Sequence, residues 1–252
     1  MEKYFNIKAK GFMVRCKIYC NNLKNIDTAI IFGHGFGGHK DNKAAQRFAM
    51  RVLKKNQTAA VITFDLPGHG DDTHNKLSQE KCDECLRAVI EYTKDNWKTD
   101  KIFGYATSFG GYVFLSYIKE HTNPFLKLAL RCPAVKMYSV MKNTVISDEE
   151  LSLIKKGKSV MIGFDRKVEV SPSFINELAN SDIAKNDYTE FADKILILHG
   201  TKDEVAPFGD AEKFAQKNGI EFIVIEDADH RFSDPKKMDI AISSIITAFG
   251  LK

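Results

Sequence analysis

The chain has 252 residues, 44% of them hydrophobic and 28% charged, with 37 Lys and Arg against 33 Asp and Glu. That length and apolar content suffice for one large α/β core, and a net charge of +4 spread without a long basic run argues against a nucleic-acid partner. No apolar stretch nears the roughly 20 residues that span a bilayer, and the polar start Met1-Glu2-Lys3-Tyr4-Phe5-Asn6 lacks a secretory apolar region, so no membrane span and a cytoplasmic protein are expected.

Lys3 to Lys8 and Phe12 to Cys20 read as two strands joined at Gly11, an antiparallel hairpin. Apolar runs follow at 28–32, 59–64, 101–106, 126–130, 195–198 and 222–225, alternating with helical patterns at 42–56, 78–97, 109–121, 209–218 and 235–249. The alternation predicts an α/β fold: a mostly parallel eight-stranded sheet with an antiparallel N-terminal hairpin and helices on both faces. Pro235 suits the first turn of the last helix, where no N–H is needed. Residues 134–187 are too many for a crossover. They are expected as an inserted cap within a single domain spanning 1–252, with short helices near 148–156 and 172–180. Its apolar members, among them Met137, Tyr138, Val140, Met141, Met161, Phe164 and Phe174, are expected chiefly as a small core of its own. The five cysteines, an odd number, suit a reducing compartment, and Cys82-Asp83-Glu84-Cys85 and Cys16 with Cys20 are read as reduced thiols without a metal.

The C-terminal ends of parallel strands open on one edge, where ligands bind. Four polar segments fall at such ends: Gly33 to Gly38 after the third strand, Ser108 after the fifth, His199 to Asp203 after the seventh and Asp227 to His230 after the eighth. Ser108 sits in Ala106-Thr107-Ser108-Phe109-Gly110-Gly111. Small residues two before and two after a serine allow a tight strand-to-helix turn that presents the hydroxyl as a nucleophile; a helix cap is the simpler alternative. A hydroxyl needs a base within reach, and the base needs an acid to orient it. Of seven histidines, His39, His74 and His121 lie in polar loops or at a helix end, and His34, His69 and His199 belong to turns. His230 alone lies between the last strand and the last helix, and is expected as the base. Asp203 is expected as the acid by loop position, with Glu204, Asp227 and Asp229 close in sequence.

With these segments in that order, together with Asp65-Leu66-Pro67-Gly68-His69-Gly70 and His199-Gly200-Thr201-Lys202-Asp203-Glu204-Val205-Ala206-Pro207, the chain resembles an α/β-hydrolase over nearly its whole length. The His34-Gly35-Phe36 loop, the Cys132-Pro133-Ala134 run and the Asp229-His230-Arg231-Phe232 ending are similar to cinnamoyl and feruloyl esterases and their serine-aminopeptidase-like relatives. The resemblance implies a serine hydrolase cleaving small carboxylic esters through an acyl-enzyme. Ser108 would be nucleophile, His230 base and Asp203 its orienting acid. The backbone N–H groups of Phe36 and Phe109 would form an oxyanion hole, with His34, Gly35, Gly37 and unassigned cap residues contacting substrate. No metal or organic cofactor is implied. Ala106 and Thr107 depart from the family's usual Gly-x, which bears on efficiency more than on activity. A small-peptide or amide hydrolase and a monoacylglycerol lipase-like enzyme remain open within the fold, as do the oligomeric state, a homodimer included, and a non-catalytic binding role. Outside the fold, Gly33-x-Gly35-x-x-Gly38 with Asp65 also fits a nicotinamide-dinucleotide oxidoreductase. Against that stand the preceding hairpin, the polar stretch His39 to Asn42 that delays the next helix, and the three residues it leaves unexplained.

Overall fold

A computed structural model describes residues 1–163 and 166–251. In chain order it contains β1 (Glu2–Lys8), β2 (Met13–Cys20), β3 (Thr28–Gly33), α1 (Lys43–Lys55), β4 (Ala59–Phe64), α2 (Gln79–Trp97), β5 (Ile102–Thr107), α3 (Phe109–Glu120) and β6 (Leu128–Arg131). An insert follows, with α4 (Met137–Val140) running on as a π-helical turn over Met141–Val145, then α5 (Asp148–Lys155), β7 (Val160–Ile162), β8 (Val168–Val170) and α6 (Pro172–Asn180). The chain closes with β9 (Ile195–Gly200), α7 (Phe208–Asn218), β10 (Glu221–Ile225) and α8 (Pro235–Ala248).

Eight strands form one sheet in the order β1-β2-β4-β3-β5-β6-β9-β10. β2 runs antiparallel to both β1 and β4, and the other neighbours are parallel. β3, β4, β5, β6 and β9 are buried along their whole length. That is why they read as continuous apolar runs rather than alternating ones: helices cover both faces of a parallel sheet. Side chains of α2, α3 and the insert pack on one face, those of α1 and α8 on the other.

Helix starts follow from capping chemistry. The Asn42 side chain accepts from the Ala44 and Ala45 amides, and Ser78 from that of Lys81. Asp234 accepts from the Lys236 amide with Pro235 in the first turn. In the insert, Ser147 and Glu150 form a reciprocal capping box at the start of α5. The two short helices expected there are present as α5 and α6.

The insert differs from expectation in two ways. It contains the antiparallel ribbon β7–β8, whose strands of three residues each are too short to show a period in the sequence. Its buried apolar side chains are also no separate core: Met137, Val140, Met141 and Phe174 are continuous with the sheet's own packing. Tyr138 and Met161 are exposed, and Phe164 lies outside the described residues. All five cysteines are free and buried. Among the described residues no helix is long and apolar enough to cross a membrane.

Candidate active site

At the turn from β5 to α3, Ser108 has φ 51° and ψ −117°. A side chain rarely holds that backbone conformation, and such outliers cluster at functional sites. Close packing enforces the turn. A Cβ on Gly110 would lie 2.6 Å from the carbonyl oxygens of both Gly33 and His34, so the helix start can press against the end of β3 only as glycine. Ala106, standing where the family usually has glycine, pairs in register with Gly33. A Cβ on Gly33 would collide with the Phe114 ring and approach the Ala106 methyl to 3.3 Å. Glycine on the neighbouring strand leaves the room that the alanine methyl occupies.

The glycine-rich loop after β3 passes directly against this turn, since a Cβ on Gly35 would sit 3.2 Å from that of Ser108. Neither the Phe36 nor the Phe109 amide has an acceptor among the described residues. The Phe109 amide is one of the unpaired N–H groups that open every helix. The loop is held from behind. His34 is 1% exposed, its Nδ1–H donates to the Gly35 carbonyl at 2.8 Å, and its Nε2 accepts from the Leu66 amide at 3.1 Å. With both ring nitrogens engaged behind the loop, His34, expected as a substrate contact, is not among the residues that line the cavity. Its protonated form would have to give up the Leu66 bond, and burial lowers its pKa to about 4. Asp65, fully buried, accepts from the Lys40 amide and ammonium and from the Asp71 amide. It ties the β3–α1 loop to the β4–α2 loop and, being fully buried, presents no oxygen to a ribose, which removes the support for the dinucleotide reading.

Beyond β9, the Asp203 side chain is 0% exposed and fully engaged. Its Oδ1 accepts from the Val205 and Ala206 amides at 2.9 and 2.8 Å. The Nδ1 of His230 lies 2.8 Å from Oδ2 and 3.0 Å from Oδ1, and the Nε2 of His199 lies 3.0 Å from Oδ2. Burial alone would raise the carboxyl's pKa, but the hydrogen bonds from His199 and His230 outweigh it and hold the group well below the usual carboxylate range. The rival carboxylates are occupied elsewhere. Glu204 accepts from the His230 amide, Asp227 pairs with Lys202 at the surface, and Asp229 caps Ser233. The His230 carbonyl accepts from Arg131, whose guanidinium lies over the Phe232 ring.

Ser108 and His230 line one cavity of about 470 Å³, together with Gly35, Phe36 and Gly37 of the glycine-rich loop. Met137, Val140, Thr144 and Val145 enter its wall from α4 and the π-helical turn. Neither the Ser108 hydroxyl nor His230 Nε2 has a hydrogen-bond partner among the described residues. A bond of this kind often tightens only when substrate is present. Sequence reasoning missed three contributors. His199 is visible as a histidine four residues before the acid, but nothing in that spacing says its ring turns toward Asp203. Thr144 and Val145 carry no signal at all.

The chain is similar to monoacylglycerol lipase abhd6-B of Xenopus laevis, at 24% identity over 210 residues, 79% of this chain and 58% of that one. It is similar to human monoacylglycerol lipase ABHD6 at 28% over 182 residues, 71% and 49% of the two chains. It thus spans about half the length of the curated relatives it matches. Among solved structures, Est1E from Butyrivibrio proteoclasticus with ferulic acid bound superposes with a TM-score of 0.78 at 16% identity, covering 98% of this chain and 99% of that one. A putative hydrolase from Agrobacterium vitis S4 gives 0.76 at 17%, covering 99% and 98%. Likeness at such identities establishes the fold, that of the α/β hydrolases. The sequence model described as serine aminopeptidase, S33, matches residues 24–161, from the strand before the glycine-rich loop through Ser108 and into the insert. Since that match takes in more than half of the chain, this protein belongs to the serine aminopeptidase S33 family of hydrolases.

Proposed function

We propose that the protein is a serine esterase that cleaves carboxylic esters through an acyl-enzyme, with the insert acting as a cap over its cavity. One observation carries the reading. A strained serine with two unpaired amides beside it shares a cavity with a histidine whose far nitrogen is held by a buried carboxylate. In this mechanism Ser108 Oγ attacks the ester carbonyl as His230 Nε2 takes its proton. Asp203 stabilises the imidazolium through Nδ1–H. The Phe36 and Phe109 amides receive the charge that develops on the carbonyl oxygen, where loss of one such donor costs about 3 kcal/mol. His230 then returns the proton to the departing alkoxide. Water, deprotonated by the same imidazole, releases the acid and restores Ser108.

The cavity supports esters over aminoacyl amides. An aminopeptidase needs an anion for the substrate's free ammonium, and the described lining residues include a single carboxylate, Glu204, beside the Arg131 guanidinium and the Arg231 side chain in the same wall. The apolar wall from the insert suits an ester with a single apolar chain or aryl group, in keeping with the names of the monoacylglycerol lipases it matches. Five free thiols suit a reducing, cytoplasmic setting.

Ser108→Ala should abolish ester hydrolysis and labelling by a fluorophosphonate while leaving the melting temperature unchanged. The measurement is a panel of nitrophenyl esters of increasing chain length, a monoacylglycerol, methyl ferulate and aminoacyl amides. Undiminished labelling of the alanine variant refutes the nucleophile, and preference for the amides refutes the ester assignment.

A further inference from the structure

His199, the penultimate residue of β9, is 0% exposed, its ring edge-on to Phe208 and stacked near Phe222. Its Nε2 lies 3.0 Å from Asp203 Oδ2 and 3.0 Å from the Ala206 carbonyl oxygen. Both neighbours are acceptors, so Nε2 must carry the proton. Nδ1 is buried with no partner among the described residues, which leaves it as the bare nitrogen.

We propose that His199 is a positioning residue for the reaction: its Nε2–H completes the donor set of Asp203 and so fixes the direction in which that carboxylate holds His230. The inference rests on the hydrolase reading above. An ionised carboxylate offers about four acceptor positions. The Val205 and Ala206 amides occupy Oδ1, and His199 shares Oδ2 with His230. Three of the four donors thus come from the strand end and turn that carry the aspartate itself, and only the fourth belongs to the segment carrying His230. Without His199 the carboxylate keeps more of its charge for His230 and is freer to rotate. It then holds the imidazolium more tightly and aims it less well. The proton is given up to the leaving group more slowly.

Of the other polar groups facing this cluster, the Cys132 thiol at the end of β6 also bonds the Asp203 carboxylate, but an S–H is a weaker donor than an imidazole N–H and does not replace it. Arg131 is committed to the His230 carbonyl and Glu204 to the His230 amide. The α7 and β10 sides present Phe208 and Phe222.

The experiment compares His199→Phe with His199→Gln, which keeps a side-chain N–H, using kcat per serine titrated by a fluorophosphonate. His199→Phe should lower kcat by about tenfold to a hundredfold with KM nearly unchanged, and should move the acidic limb of the kcat profile to higher pH. His199→Gln should recover most of both. A phenylalanine variant with wild-type kcat per titrated serine and an unmoved limb overturns the proposal. Should that variant not fold, the glutamine variant's profile and the nitrogen-15 spectrum of the wild-type histidines decide. An Nε2–H tautomer with a slowly exchanging proton supports the assignment, and an Nδ1–H tautomer at His199 overturns it. A wild type inert toward every ester fails the hydrolase reading instead, and the tautomer still judges the placement of His199.

Discussion

Asp203 stays charged inside the protein because every acceptor position of its carboxylate is met by an N–H. The same satisfaction makes it selective. An amide in its place presents an NH2 group that cannot accept from all of these donors and forces the His230 tautomer to invert. Asp203→Asn should therefore lower kcat by about ten-thousandfold, whereas Asp227→Asn and Asp229→Asn, whose carboxylates bond Lys202 and Ser233, should leave it within about twofold. Steady-state rates for the three variants check this, and a comparable loss in either surface variant would move the acid. Loop position favours Asp203 among four carboxylates that lie close in sequence, but it says nothing of which one reaches His230. What separates them is a side-chain direction of a few ångströms.

The β5–α3 junction is where element packing makes the site. Gly110→Ala would push a methyl to within 2.6 Å of two carbonyl oxygens at the end of β3. Helix and strand would have to part, at a cost of about 2 kcal/mol, and Ser108 would be displaced relative to the Phe36 amide. Urea unfolding should show the lower stability, and kcat should fall more than the folded fraction does. Ala106→Gly, which only restores space, should cost about 1 kcal/mol at most and retain activity. Helix boundaries were legible in the sequence to within a residue or two, because Asn42, Ser78, Pro235 and the terminal glycines and polar residues act locally. The ribbon β7–β8 was not, since its residues gain strand geometry only by packing on the rest of the molecule.

At the scale of the whole molecule, two buried histidines join the loops that frame the site. The rings of His34 and His69 lie 5.2 Å apart, and burial lowers their pKa values to about 4 and about 3. Both folded values lie below the ordinary one near 6.5, so the unfolded chain takes up protons first as the solution is acidified. Stability is complete above about pH 6.5 and is lost progressively toward about pH 4, by about 2 kcal/mol per histidine at pH 5. His69→Phe removes one of these groups and with it the bond to the Pro67 carbonyl. It should cost about 1 kcal/mol at neutral pH yet show a shallower fall in unfolding free energy between pH 7.5 and 5. An equal slope in the two proteins would remove His69 from the acid response.

The linear chain by itself determined the layering, because apolar runs and helical periods record which residues each element buries. It also placed Ser108, Asp203 and His230, in that order, at strand ends on one edge, because loops at the ends of parallel strands must share it. Only the tertiary structure decided that His34 turns inward to hold a loop, that His199 joins His230 on one carboxylate, and that the π-helical turn supplies cavity wall. Those outcomes depend on the directions of side chains from segments far apart in the chain, and such directions are set by packing across the sheet, which no local pattern encodes.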